Sequence, residues 1–156
     1  MWVFLNDRFV PKEEAVVSVF DHGFLYGDGV YETLRSYGPR IFMRDQHLAR
    51  LRRSADALGL TIPVPDTRLP DLLHEAMRRN EVGNDDVDAY LRITISRGAG
   101  EIGLDPALCP RSTVVIMTKP LHPSPSILSR DGVSLTVATT RRNLPAALSP
   151  HIKSTN

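Results

Sequence analysis

The chain has 156 residues, 42% hydrophobic and 24% charged, with a formal net charge of +1, the balance of an ordinary globular domain and no footprint for nucleic acid or anionic membranes. A single cysteine, Cys109, excludes an internal disulfide, and no four-ligand zinc pattern exists. The N-terminus lacks a secretion signal and no run is apolar enough to span a bilayer, so the expectation is a soluble, cytoplasmic protein with no bound metal, no nucleic-acid partner and no membrane contact.

A chain of this size buries roughly 70% of its unfolded surface, enough for a real core. In chain order, Trp2–Leu5, Arg8–Val10 and Ala15–Val19 read as short strands, with Asn6-Asp7 as a hairpin tip. Gly29–Tyr37, bounded by Gly27-Asp28-Gly29 and Gly38-Pro39, reads as a strand with Arg40–Met43 as its hairpin partner. Leu48, Leu51, Ala55 and Leu58 recur at helical spacing, which predicts a helix over Arg44–Leu58 ended by Gly59. A second helix is expected from near Asp66 or Pro70 to Arg79, burying Leu69, Leu72, Leu73 and Met77. Tyr90–Ser96 and Ser112–Thr118, rich in β-branched residues, read as strands.

Pro120, Pro123 and Pro125 with intervening serines then mark a connector. Gly132–Thr140 reads as one more strand. It has no following strands to cover it, which points to a chain that continues beyond Asn156.

Four stretches could carry chemistry. Asp21–Arg35 contains the Gly-Asp-Gly turn, followed by a strand with Tyr31 and Thr33 on one face and Val30, Glu32 and Leu34 on the other. On these residues alone a β-bulge with ordinary core aromatics is the favoured explanation, since a Gly-Asp-Gly turn has no unique mechanism, and no Walker lysine or dinucleotide glycine spacing is present. On the Arg44–Leu58 helix, His47, Arg50 and Ser54 share one flank, and an arginine fork suits phosphate. Periodicity alone does not choose Arg50 over Arg52. Tyr90 and Arg92 lie on one side of their strand, ahead of Arg97 and a glycine turn, where a substrate carboxylate or a cross-strand ion pair would serve equally. Lys153 by itself reads as a solvated tail lysine. His22, His47, His122 and His151 lack metal-ligand spacing, and Cys109 has no activating base near it in sequence.

Taken in order, these stretches resemble the class IV (fold type IV) pyridoxal-phosphate enzymes. Asp21–Arg35 is similar to their D-x-G-x-x-x-G-D-G-x-[FY]-E-x-x-[RK] signature, and His47–Leu51 to their H-x-x-R-L segment. Ile95–Gly103 and Arg142-Asn143 with Ile152-Lys153-Ser154-x-Asn156 resemble the later motifs, the last being the approach to the Schiff-base lysine. The resemblance implies an α+β fold: a small N-terminal domain with a mainly antiparallel sheet and two helices over residues 1–119, a connector over 120–131, and the start of a large cofactor-binding domain, including its first strand, over 132–156.

It also implies an enzyme with pyridoxal 5'-phosphate as cofactor, Lys153 as the Schiff-base lysine and catalytic proton carrier, and Arg50 as the phosphate ligand. Tyr26, Tyr31, Tyr90, Arg92 and Arg97 would be substrate-side candidates. The implied activity is transamination of a branched-chain or related amino acid with 2-oxoglutarate in a homodimer. Aminodeoxychorismate lyase, or a non-catalytic truncated domain, is the alternative. The family's glutamate for the pyridine nitrogen lies beyond the lysine, so the chain to Asn156 is expected neither to hold the cofactor stably nor to turn over.

Overall fold

In the computed structural model, which describes residues 1–122, 130–144 and 146–156, the apolar alternation seen in the sequence assembles into one six-stranded antiparallel sheet. The strands are β1 (Trp2–Leu5), β2 (Arg8–Pro11), β3 (Gly29–Tyr37), β4 (Arg40–Ile41), β5 (Ala89–Ser96) and β6 (Thr113–Pro120). Their order across the sheet is β2-β1-β6-β5-β3-β4. The helices are α1 (His22–Tyr26), α2 (Arg44–Ala57) and α3 (Leu69–Arg79). Helix α2 packs on β3, while α3 packs on β6 and β1. The core lies between helices and sheet: Val30, Leu34, Leu91, Ile93, Ile95 and Ile116 from the strands meet Leu51, Ala55, Leu72, Leu73, Ala76 and Met77 from the helices.

Two expected strands do not form. Ala15–Val19 follows a 3-10 turn over Lys12–Glu14 and joins no ladder, with Val16 and Val19 73% and 64% exposed. β1 is already paired on both sides, by β2 and β6, so this segment meets no free edge there. Residues 132–140 are exposed and form no strand. Val133, Leu135 and Val137 alternate as a strand requires, but no neighbouring strand among the described residues offers them a ladder. Most of the expected connector, 123–129, lies outside the described residues.

One element was not anticipated. Asp21 accepts the Gly23 N–H at 2.8 Å and caps α1, and Gly27, at φ 68°, closes it in the left-handed region. The Gly27–Gly29 turn read from the sequence is preceded by a capped single-turn helix. Asp21 is 1% exposed and also accepts from Ser96 Oγ at 2.9 Å and Thr113 Oγ1 at 2.8 Å, which pins this helix to β5 and β6.

Candidate active site

β3 presents alternate faces, and each carries part of the site. On the helix-covered face, Glu32 is fully buried between Val30 and Leu34. A carboxylate in that position requires partners. Arg50 of α2 supplies a fork, with Nε donating to Oε1 at 2.5 Å and Nη2 to Oε2 at 2.8 Å. His47, one turn earlier, meets Oε2 through Nδ1 at 2.8 Å, so Nδ1 carries the proton in this pair. Burial pushes the Glu32 carboxyl up, but hydrogen bonds from Arg50 and His47, with their charges, outweigh it and hold the group below the ordinary glutamate range. The same bond raises the Arg50 guanidinium further, so both stay ionised.

On the opposite face, the Tyr31 ring lies beneath two cations. Arg92 Cζ sits 4.2 Å from its centroid and Lys153 Nζ 4.4 Å. Arg92 reaches Tyr31 diagonally across β5, where Thr94 is the residue paired with Tyr31.

Lys153 is not a free tail. The outer edge of β3 pairs with β4 at Ser36–Tyr37, and its start pairs with residues 153–155. Tyr31 N–H donates to the Lys153 carbonyl at 3.0 Å, and Thr155 N–H to the Gly29 carbonyl at 2.9 Å. Thr155 Oγ1 adds a bond to the Gly27 carbonyl at 2.8 Å. Gly29 leaves room for this approach: a Cβ there would lie 2.7 Å from the Ile95 carbonyl oxygen and 3.1 Å from Thr155 Oγ1. Ile152 packs against the core and anchors the segment from its other side.

Lys153, Arg50 and Tyr31 together line one cavity of about 460 Å³, with Arg142, Asn143 and His151. No aspartate or glutamate side chain lines it, so its formal charge is positive, as an anionic ligand requires. Arg50 Nη1 makes no hydrogen bond among the described residues and is the part of the fork left for such a ligand. An amine, a guanidinium fixed by a buried carboxylate and an aromatic face fit a phosphate-bearing aldehyde. Of the arginines on this helix, Arg50 lines the cavity, whereas Arg52 pairs with Asp66 and Arg53 is exposed.

Other expected residues lie elsewhere. Tyr90 is half-buried and stacks on Lys119, in register with Arg35. The Tyr26 hydroxyl accepts the Gly103 N–H at 3.2 Å, and its ring meets His22 edge-on. Arg97, 8% exposed, pairs with Asp28 at 2.8 Å and donates to the carbonyls of Leu58 and Gly59 at 2.8 and 2.7 Å. Neither Tyr26 nor Arg97 lines the cavity. Arg97 instead caps the C-terminal end of α2 and ties it to the turn before β3. Arg97→Ala is expected to cost about 2 kcal/mol in urea unfolding, because two partly buried carbonyls and a half-buried carboxylate lose a charged donor; Arg97→Lys recovers little, since a point ammonium cannot span three acceptors. Glu32 was not singled out in the sequence, although a charged residue on the apolar face of a strand was a readable signal. Burial, foremost, and the nearby Asp21 carboxylate push the Cys109 thiol up.

The sequence pattern of the family described as amino-transferase class IV matches residues 29–156. The chain belongs to the class IV aminotransferase family. A Methanocaldococcus jannaschii protein, provisionally named a branched-chain-amino-acid aminotransferase, is 39% identical over 156 residues, which is 100% of this chain and 52% of that protein. The Bacillus subtilis aminodeoxychorismate lyase is 33% identical over 143 residues, 92% of this chain and 47% of that enzyme. The fold superposes on the Escherichia coli branched-chain amino acid aminotransferase with a TM-score of 0.85, over 99% of this chain and 49% of that one; at 23% identity this shows the shared fold alone. The chain thus spans about half the length of the class IV proteins it matches. No helix among the described residues is long and apolar enough to cross a membrane.

Proposed function

We propose that the full-length protein is a pyridoxal-phosphate-dependent aminotransferase that moves the amino group of a branched-chain or related amino acid to 2-oxoglutarate, with Lys153 as its Schiff-base lysine. The observation that carries this reading is the shared cavity: Lys153 and Arg50, far apart in sequence, line one positively charged space within a class IV fold. When bound, the cofactor supplies an electron sink for the pair of electrons left at Cα after proton loss.

The chain's own residues do the rest. Arg50 binds the phosphate through the part of its fork that Glu32 leaves free, and Glu32 with His47 orients that fork. The Lys153 amine would hold the cofactor's aldehyde and, once displaced from it by the substrate's amine, would hold and return the Cα proton as a free amine. The Tyr31 ring supports the amine from below, and Arg92 beside it, with Tyr90 on the same face of β5, suits the substrate carboxylate. In this reading residues 1–119 form the small domain, 120–131 the connector and 132–156 the start of the large domain. Exposed Val16, Val19, Phe24, Ile102 and Leu104 support a homodimer.

The second reading is aminodeoxychorismate lyase, in which the same lysine serves an elimination that releases pyruvate; the similarity to the Bacillus subtilis enzyme of that name supports it. The deciding experiment offers the purified full-length protein pyridoxal 5'-phosphate, then leucine with 2-oxoglutarate, D-alanine with 2-oxoglutarate, and aminodeoxychorismate. A visible absorption band on adding cofactor, with glutamate formed fastest from leucine, is the expected result. Pyruvate release from aminodeoxychorismate without transamination would transfer the assignment to the lyase, and absence of any band would remove both.

A further inference from the structure

Ser54 takes no part in the chemistry described so far. It is nevertheless 2% exposed and sits one turn beyond Arg50 on the same flank of α2. A serine inside a helix ordinarily turns its hydroxyl to the carbonyl four residues back. Here Oγ accepts the main-chain N–H of Lys153 at 3.2 Å. The other anchors of this segment face β3: the Lys153 carbonyl and the Thr155 N–H bond Tyr31 and Gly29. A continued antiparallel ladder would send the Lys153 N–H back to the Tyr31 carbonyl; the pairing instead breaks off at Lys153, and its N–H goes to Ser54 of α2.

We propose that Ser54 is a positioning residue that ties the Lys153 main chain to the helix carrying Arg50, sets the span between amine and guanidinium, and thereby favours a phosphate-bearing aldehyde over the same aldehyde without its phosphate. This rests on Lys153 being the carbonyl-binding amine. Residues four apart on a helix are offset by about 6 Å along its axis, a rigid spacing that a loop would not hold. Removing the hydroxyl leaves the Lys153 N–H without its acceptor. The bonds to Tyr31, Gly29 and Gly27 keep the segment docked, so it pivots about the β3 edge rather than detaching.

The test uses the full-length protein as wild type, S54A and S54T. Each is offered pyridoxal 5'-phosphate and pyridoxal in parallel, borohydride traps whichever aldehyde has condensed, and mass spectrometry follows the pyridoxyl label on Lys153. Amide hydrogen exchange at Lys153 is measured without any aldehyde. S54A is expected to slow labelling by the phosphorylated aldehyde about 10-fold, the equivalent of one hydrogen bond, with labelling by pyridoxal changed less than about 2-fold and exchange at Lys153 faster by about 10-fold. S54T keeps the acceptor and restores all three. An unchanged ratio between the two aldehydes in S54A overturns the proposal whatever the exchange does, and so does an equal loss for both aldehydes. If wild type takes no label at Lys153 from either aldehyde, the lysine is not the carbonyl-binding group and the role of Ser54 falls with it.

Discussion

Under the proposed function, Lys153→Ala in the full-length protein is expected to lower turnover by roughly 10⁴-fold or more, since it would remove both the carbonyl-binding amine and the group that carries the Cα proton. The fold should survive. Lys153 is bound to its surroundings through main-chain atoms, to Ser54 and Tyr31, and alanine keeps both bonds. The loss of the Nζ contact with the Tyr31 ring costs little, because an exposed cation–π contact contributes only about 0.5–1 kcal/mol. Steady-state kinetics alongside urea unfolding separates the two effects. Lys153→Arg keeps the charge but not a nucleophilic amine, so it should be as inactive as alanine. A variant retaining more than about one hundredth of wild-type turnover would mean that another group does the chemistry, given that a single acid–base group alone contributes 10²–10⁴-fold.

Arg50→Ala is expected to destabilise the fold by about 3 kcal/mol at neutral pH, in addition to weakening cofactor binding. The cause is Glu32, which is fully buried and would keep as partners only His47 and the long bond from the Thr33 N–H. Removing one member of a buried ion pair leaves an uncompensated charge, an effect of about 3–5 kcal/mol, taken here at its lower end because the Arg50 side chain is partly exposed.

The sign with pH follows from the depressed carboxyl of Glu32. Its stabilising contribution is complete above the ordinary glutamate pKa of about 4.3 and is lost as pH falls through the lower value it has in the folded chain. In Arg50→Ala, burial dominates instead and the carboxyl takes up a proton more readily. The stability gap between wild type and variant should therefore be widest near neutrality and narrow in acid. Urea midpoints from pH 7 down to pH 4 measure it. Adding Glu32→Gln to Arg50→Ala should recover part of the loss, because it removes the orphaned charge, and strict additivity of the two substitutions would count against their coupling.

How much of this was readable beforehand depends on the range of the interaction. The β3 alternation was local, and the expected faces are the observed ones, with Val30, Glu32 and Leu34 covered and Tyr31 and Thr33 on the other side. The flank of α2 bearing His47, Arg50 and Ser54 was readable for the same reason, and all three point to partners in the site. The strand order was not, because β1 meets β6 only through register formed across most of the chain. Ala15–Val19 failed as a strand because propensity does not reveal whether an open edge is nearby. Helix α1 was hidden by its glycines, and Asp21 as cap and Gly27 as stop became visible only with the hydrogen bonds. The substrate-side candidates divided similarly. That Tyr90 and Arg92 share a face was local, but the contact of Arg92 with Tyr31 depends on the β3–β5 register, and the engagement of Arg97 with the end of α2 depends on residues almost forty positions earlier.

The docking of residues 153–155 along the first residues of β3 joins two requirements that could have been separate. The strip that bears the proposed reactive amine also shields the flank of a strand that would otherwise offer a template for sheet growth between molecules. Substitutions that loosen this strip would expose a sticky border at the same moment that they misplace the amine. Solubility and chemistry therefore constrain the same few residues, and screening variants for colloidal behaviour would by itself enrich for an intact reactive strip.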